Sequence, residues 1–209
     1  TLTGNQQAYV YTSDGSAWHA IGGTPLTSSG PVFNVMGYGA TGNGTTNDAP
    51  AVQLAVNAAI TAGAGVVWFP YGTFLINSTI QVYSATNIKF DGPGTWSNGV
   101  SNAPMVRFRN SQYCATSRTL LWAGNWVSNS IGLEIDGCLY GDFWIRGDQW
   151  STGMNVICSA SATQNSAYND LNVNIANSIN PLVFSGNAGG TLFASNNRVA
   201  SVQARLATG

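Results

Sequence analysis

Glu134 and Asp136 are the side chains best spaced for acid–base chemistry in this chain. They alternate with Leu133 and Ile135, and that alternation predicts a strand with both carboxylates on its outer face. Two residues of strand separate their Cα atoms by ~6.6 Å, within the range at which paired carboxylates act on a glycosidic bond, one as acid and the other as base or nucleophile. Asp142, Trp144, Arg146, Asp148 and Trp150 follow closely. Their charges can hydrogen-bond hydroxyl groups, and indoles can stack on the apolar C–H faces of sugar rings. Trp122 and Trp126, four apart across Ala123-Gly124-Asn125, flank a predicted turn and suit either a sugar or a subunit contact. The alternative is that these few acids solvate one face or pair with Arg146.

Composition excludes several other chemistries. Charged residues make up 7% of the 209, with one Glu, one Lys (Lys89) and one His (His19); ~25% is ordinary. A single histidine gives no support to Ser/His/Asp catalysis. No tight cluster of acids offers a calcium site, and Cys114, Cys138 and Cys158 lack metal-ligand spacing, so neither metal nor cofactor is expected. The thiols read as buried small hydrophobes, with spacings of 24 and 20 that would let two stack on successive coils of a repeat. The glycines at 37, 39, 42 and 44 are followed by no lysine and lie in no βαβ unit, which excludes a phosphate loop. A net charge of −1 gives no reason to bind nucleic acid or an anionic membrane. No run of about 18 apolar residues offers a membrane span. The sequence starts at Thr1 without Met and shows no signal peptide.

The elements that must position these groups are clearest between Phe33 and Ile76. Gly39, Gly42 and Gly44 permit a tight loop. Thr46, Asn47 and Asp48 supply oxygens for a helix start, and Pro50 fits the first turn. Val52, Val56, Ala59 and Ile60 share one helical face, predicting a helix over 48–62, and Gly63 and Gly65 end it. Val66-Val67-Trp68-Phe69 then reads as a buried strand, Pro70-Tyr71-Gly72 as a turn and Thr73 onward as a second strand. The order Tyr38-Gly39-Ala40, Gly42-Asn43-Gly44, Thr46-Asn47-Asp48, Val52-Gln53, Val66-Val67, Phe69-Pro70 and Gly72-Thr73-Phe74 resembles the N-terminal segment of the pectate-lyase-like superfamily of right-handed parallel β-helices. Asn43 and Asn47 stand where that family usually has Asp, and Thr41 where it often has Lys. These swaps keep capping ability while removing charge, so the loop is read as structural. The resemblance implies an all-β parallel β-helix whose N-terminal end is plugged by the short helix, which also hides an exposed sheet edge.

Beyond Phe74, short apolar strands alternate with polar turns, and 22 asparagines and 25 glycines suit the turns of a solenoid. Ile135 to Val156 is 21 residues and Val156 to Ile175 is 19, predicting a coil near 20. Residues 33–209 therefore read as the β-helix. The end at Gly209, just after a strand, predicts that these residues are the N-terminal part of a longer polypeptide or are capped by a partner. Residues 23–32 read as a linker and 1–22 as a β-hairpin, with Ser13-Asp14-Gly15-Ser16 as its turn. The pattern Tyr9 to Ile21 is similar to hairpin modules of phage tail appendages. A lone hairpin is marginal in water, so it should lean on partner chains.

Taken together, these resemblances imply a phage tailspike or tail fibre: a homotrimer in the virion, attached to other tail proteins through its N-terminal region and binding a host surface polysaccharide. The alternative they leave open is a secreted or virion-borne polysaccharide hydrolase or lyase. The superfamily's pectin-hydrolase signatures (Asn-Thr-Asp, Asp-Asp, Gly-His-Gly, Arg-Ile-Lys) are absent, so cleavage within these residues is not expected.

Overall fold

Asp48 organises the start of the solenoid by turning away from the helix it precedes. In the computed structural model, which describes residues 11–13, 18–20, 31–185 and 192–206, its carboxylate accepts from Thr41 N at 2.7 Å, Thr41 Oγ1 at 3.1 Å and Gly42 N at 3.1 Å. It is 1% exposed and makes no side-chain cap of the helix. Asn47 takes that role, accepting from Ala49 N and also from Asn77 N, both at 3.2 Å. The two side chains thus tie the glycine loop, the helix and the following strand together. Gly39 caps a short 3-10 turn at Val35–Tyr38. Gly44 takes φ +76°, and Gly72, two residues after Pro70, takes φ +153°, where a Cβ would lie 2.8 Å from the Gly42 carbonyl. Only glycine fits that crossing.

The helix spans Ala49–Thr61. Val52, Val56 and Ala59 are fully buried, as their spacing requires, and they join the same core as the strands behind them.

Those strands build a parallel β-helix. One lane is a five-stranded parallel sheet of Ile80–Tyr83, Pro104–Arg109, Ile131–Asp136, Thr152–Ile157 and Asn180–Ser185. A second lane runs through Val32–Asn34, Gly65–Trp68, Ile88–Asp91 and Ala115–Thr116. A third runs through Asn43–Asn47, Thr73–Ile76, Thr95–Asn98 and Leu121–Ala123. The strand Asp142–Asp148 belongs to both, pairing at Asp142 with Ala115 and at Gly147 and Asp148 with Trp122 and Ala123. From there the two lanes continue as single long strands, Asp170–Ser178 and Arg198–Leu206. Every strand pair of the solenoid is parallel, and such crossovers are right-handed.

Coils are longer than the predicted 20 residues. Arg107 meets Glu134 27 residues on and Trp122 meets Trp150 28 residues on, while Glu134 meets Asn155 after 21. The pairing of Ile135 with Val156 is as expected, but Val156 pairs next with Phe184, and Ile175 lies in another lane between Gly147 and Ala204. The extra length after Val156 is the Ser159–Gln164 loop. It folds back onto the coils below, where Thr163 N donates to Asn110 Oδ1 at 2.8 Å and Gln164 Nε2 to Gly137 O at 2.8 Å.

Aromatic rings fill the interior in contact along the axis. Phe69, Phe90, Trp96 and Trp122 are each buried, with Trp96 stacked on Trp122 at 5.2 Å. All three cysteines are buried and free, and burial pushes the Cys114 thiol up to about 11. Near the N-terminus, Tyr11–Ser13 pairs antiparallel with Trp18–Ala20. The rest of the expected hairpin module, linker residues 23–30 and the end of the chain lie outside the described residues, while Val32, expected in the linker, already pairs with Val66 in the second lane.

Candidate functional site

Glu134 and Asp136 point outward, as alternation demands, while Leu133 and Ile135 enter the core. Both carboxylates are almost wholly covered. Arg107 Nε donates to Glu134 at 2.5 Å and Asn155 Nδ2 at 3.2 Å, leaving the residue 5% exposed. Asp136 is 0% exposed under the Ser159 loop, accepting from Arg109 Nε at 2.7 Å, Ser159 N at 2.8 Å and Ser159 Oγ at 2.7 Å. The expectation of an open acid pair is corrected here. Each acid is sandwiched between an arginine one coil below and a donor one coil above, and Arg146 is not the partner of either. A carboxylate so saturated with donors is poorly placed to accept or deliver a proton to a substrate.

Two of the four candidate tryptophans are also reassigned. Trp122 is the middle residue of the short strand Leu121–Ala123, which turns it inward, and Trp150 sits in the next coil with its Nε1 donating to Trp122 O at 3.1 Å. Both are fully buried, so neither can stack on a sugar. Trp126 is 49% exposed on the turn, with φ +52°. Trp144 is half-buried.

The remaining candidates converge on one element. The strand Asp142–Asp148 buries Phe143 and Ile145, and alternation sends Asp142, Trp144, Arg146 and Asp148 to the outer face in a single row. Arg146 and Asp148 border an open groove of about 400 Å³ whose walls include Thr95, Leu121, Ala123 and Asn174. Register explains the space: Asp148 lies between Ala123 below and Ala176 above, small side chains that leave a gap on both sides. Among the described residues neither Arg146 nor Asp148 forms an ion pair. At the head of the row, burial raises the Asp142 carboxyl above its ordinary value, and the charge of Asp170 in the next coil adds to that rise. Asp170 itself is lowered by hydrogen bonds from Arg198 at 2.6 and 2.5 Å. A cation and a carboxylate ~6.6 Å apart beside an indole can hold a polyhydroxylated or carboxylate-bearing ligand.

One surface feature escaped the reading of the sequence. Tyr113, Tyr140 and Tyr168 stack face to face on successive coils, with ring centroids 5.3 and 5.4 Å apart and interplanar angles of 13° and 11°. They are 54%, 48% and 55% exposed. All three backbones are left-handed, at φ +53°, +56° and +58°. Such a conformation costs a bulky residue about 1–3 kcal/mol, and a stacked pair returns about 0.5–1.5 kcal/mol. The signal available in the sequence was their recurrence at 27 and 28 residues, which is the coil length.

With the geometry established, comparison with known proteins defines the lineage. The family described as "Rhamnogalacturonase A/epimerase, pectate lyase-like" matches residues 32–198. The chain belongs to this family. Curated relatives of this pectate-lyase-like chain include plasmin and fibronectin-binding protein A of Streptococcus pneumoniae, 32% identical over 107 residues, covering 50% of the chain and 15% of that protein. Another is mannuronan C5-epimerase AlgE1 of Azotobacter vinelandii, 33% identical over 108 residues, covering 51% of the chain and 8% of that protein. The matched part is thus a small fraction of each relative's length. Among solved structures, ORF18 of Geobacillus virus E2 shares the fold, with a TM-score of 0.53 and 18% identity over 93% of this chain and 47% of that one.

Proposed function

We propose that this chain is a structural and glycan-binding part of a phage tailspike or tail fibre, holding a host surface polysaccharide without cleaving it. The observation that carries this reading is the outer row Asp142-Trp144-Arg146-Asp148 beside an open groove, with Arg146 and Asp148 free of ion pairs among the described residues. Arg146 would take a carboxylate or hydroxyl of the sugar, Asp148 would accept hydroxyl protons, and Trp144 would offer apolar surface. A fold shared with a Geobacillus virus protein is consistent with a virion setting, and a relative named for binding plasmin and fibronectin is consistent with surface attachment. The assembly in this reading is a homotrimer, with residues 1–32 in contact between chains and joined to other virion proteins. Nucleic acid is not a partner, given the net charge of −1. Among the described residues no helix is long and apolar enough to cross a membrane.

The family's description and its epimerase relative favour a second reading, a secreted or virion-borne polysaccharide hydrolase or lyase. With Glu134 and Asp136 engaged elsewhere, that enzyme would draw on Arg146 and Asp148, with Asp142 on the same strand.

Titration of the purified chain with host capsule or lipopolysaccharide tests the binding reading. Arg146→Ala should weaken binding at least about tenfold, a loss of about 1.4 kcal/mol, at unchanged melting temperature. Unaltered affinity in that variant would remove the groove from the account.

A further inference from the structure

The corner between the first and second lanes repeats on five coils as Asn87, Tyr113, Tyr140, Tyr168 and Asn196, with φ of +57°, +53°, +56°, +58° and +54°. Asparagine is a residue that tolerates this left-handed conformation, and it occupies the two outer positions. The three middle coils hold tyrosine instead, keeping three exposed phenol rings in register along the axis. Tyrosine kept at this left-handed position on three consecutive coils points to a use for the rings.

We propose that the Tyr113–Tyr140–Tyr168 ladder is a second glycan track, taking a neutral, extended sugar chain laid along the solenoid axis with about one unit per coil. The stacked rings cover one another's faces and turn their edges and hydroxyls outward. Among the described residues none of these three hydroxyls hydrogen-bonds a protein group. They form a ridge with a repeat of 5.3 and 5.4 Å, apolar at the ring edges and hydrogen-bonding at the tips, which matches the alternating C–H and hydroxyl character of a sugar chain.

The column beside the ladder carries Lys89, Ala115, Asp142, Asp170 and Arg198 in register. Arg198 clamps Asp170 and Lys89 holds Asp91 at 2.7 Å, while Ala115 leaves room next to Asp142. The Asp142 carboxylate, partly buried and accepting from Asn172 Nδ2 at 3.4 Å, keeps acceptor capacity beside Tyr140 for sugar hydroxyl protons and repels an acidic sugar. Thr86, Asn87 and Asn196 surround the ladder with further hydroxyl and amide groups, all exposed. That polar frame favours a sugar over the apolar surface of a second protein chain. The ladder meets the outer row at Asp142, and Arg146 lies six residues beyond Tyr140 along the coil, ~20 Å of strand.

The corner itself supplies the test variant. Replacing the three tyrosines by asparagine, the residue at Asn87 and Asn196, keeps the left-handed turns. The full chain, this triple variant and Arg146→Ala would be titrated calorimetrically with cellohexaose, linear dextran and an acidic polymer, polygalacturonate. We expect the parent to bind a neutral probe. The triple variant should lose at least about tenfold in affinity with its melting temperature unchanged or raised, and polygalacturonate should not compete. No binding of either neutral probe by the parent, or equal binding by the triple variant, overturns the proposal. So does a triple variant that binds normally but sediments as a smaller oligomer, which would mark the ladder as a contact between copies. Failure of the Arg146→Ala titration with host glycan would refute the groove and leave the ladder's result standing.

Discussion

Gln53 Oε1 accepts the Gln81 amide N–H at 2.8 Å while Gln53 Nε2 donates to the Gln81 carbonyl at 2.9 Å. Ile80–Tyr83 is the edge strand of the five-stranded sheet, so one carboxamide on the helix completes a ladder that no further strand extends. A terminal coil needs such cover, because unpaired edge amides invite pairing with other chains. Gln53→Ala should destabilise the protein by about 0.5–1.5 kcal/mol, the net worth of an ordinary hydrogen bond where water can take its place. Hydrogen exchange should quicken selectively at Gln81. Exchange unchanged there would show that the helix covers the edge without these bonds.

Glu134→Gln and Asp136→Asn should act on stability. Removing one partner of a buried ion pair costs about 3–5 kcal/mol; the figure belongs at the low end here, because the Arg107 and Arg109 side chains remain 26% and 20% exposed. Chemical denaturation checks this. If either substitution left the midpoint in place and abolished turnover of host polysaccharide, the structural role assigned to these acids would be wrong.

Trp122→Ala should cost about 3–5 kcal/mol by opening a cavity in the core, whereas Trp126→Ala should leave the melting temperature nearly unchanged. Equal effects would contradict the opposite placements of the two rings.

Asp142 and Asp170 should move acid stability in opposite ways. Hydrogen bonds from Arg198 lower Asp170 in the fold, so its contribution is present above the unfolded value and is lost as pH falls through the folded one. Burial raises Asp142, so its penalty appears as pH climbs from the unfolded value through the raised one. Asp170→Asn should reduce neutral stability and flatten the loss toward acid. Asp142→Asn should raise neutral stability and leave the acid end unchanged. Unfolding curves between about pH 3 and 7 decide this, and identical behaviour of the two variants would refute it.

The segment from Phe33 to Ile76 was legible because its signals are local. The helix predicted over 48–62 is found at Ala49–Thr61, and Gly72 sits where the turn demands it. Asp48 was readable as a polar group at the helix start, but its true partners, Thr41 and Gly42, depend on how the loop closes. Coil length was misread because apolar strands in three lanes look alike, so Ile175 passed for a neighbour of Val156 when pairing joins Val156 to Phe184. Trp122 was misassigned because a three-residue strand carries too short an alternation to tell inside from outside, and Trp150 because the left-handed Gln149, at φ +63°, breaks the alternation just past Asp148. Asp142, Trp144, Arg146 and Asp148 share one face because a single strand holds them all.

Binding without cleavage is the central claim, and recovery of the bound polymer tests it most directly. Host capsule or lipopolysaccharide would be held with stoichiometric protein, released, and sized by gel filtration, with reducing-end and unsaturated-sugar signals followed in parallel. The account predicts glycan that is retained through Arg146 and recovered at its original length. Shortened or unsaturated product formed by the parent and lost in Arg146→Ala or Asp148→Asn would contradict it and make the groove an active site.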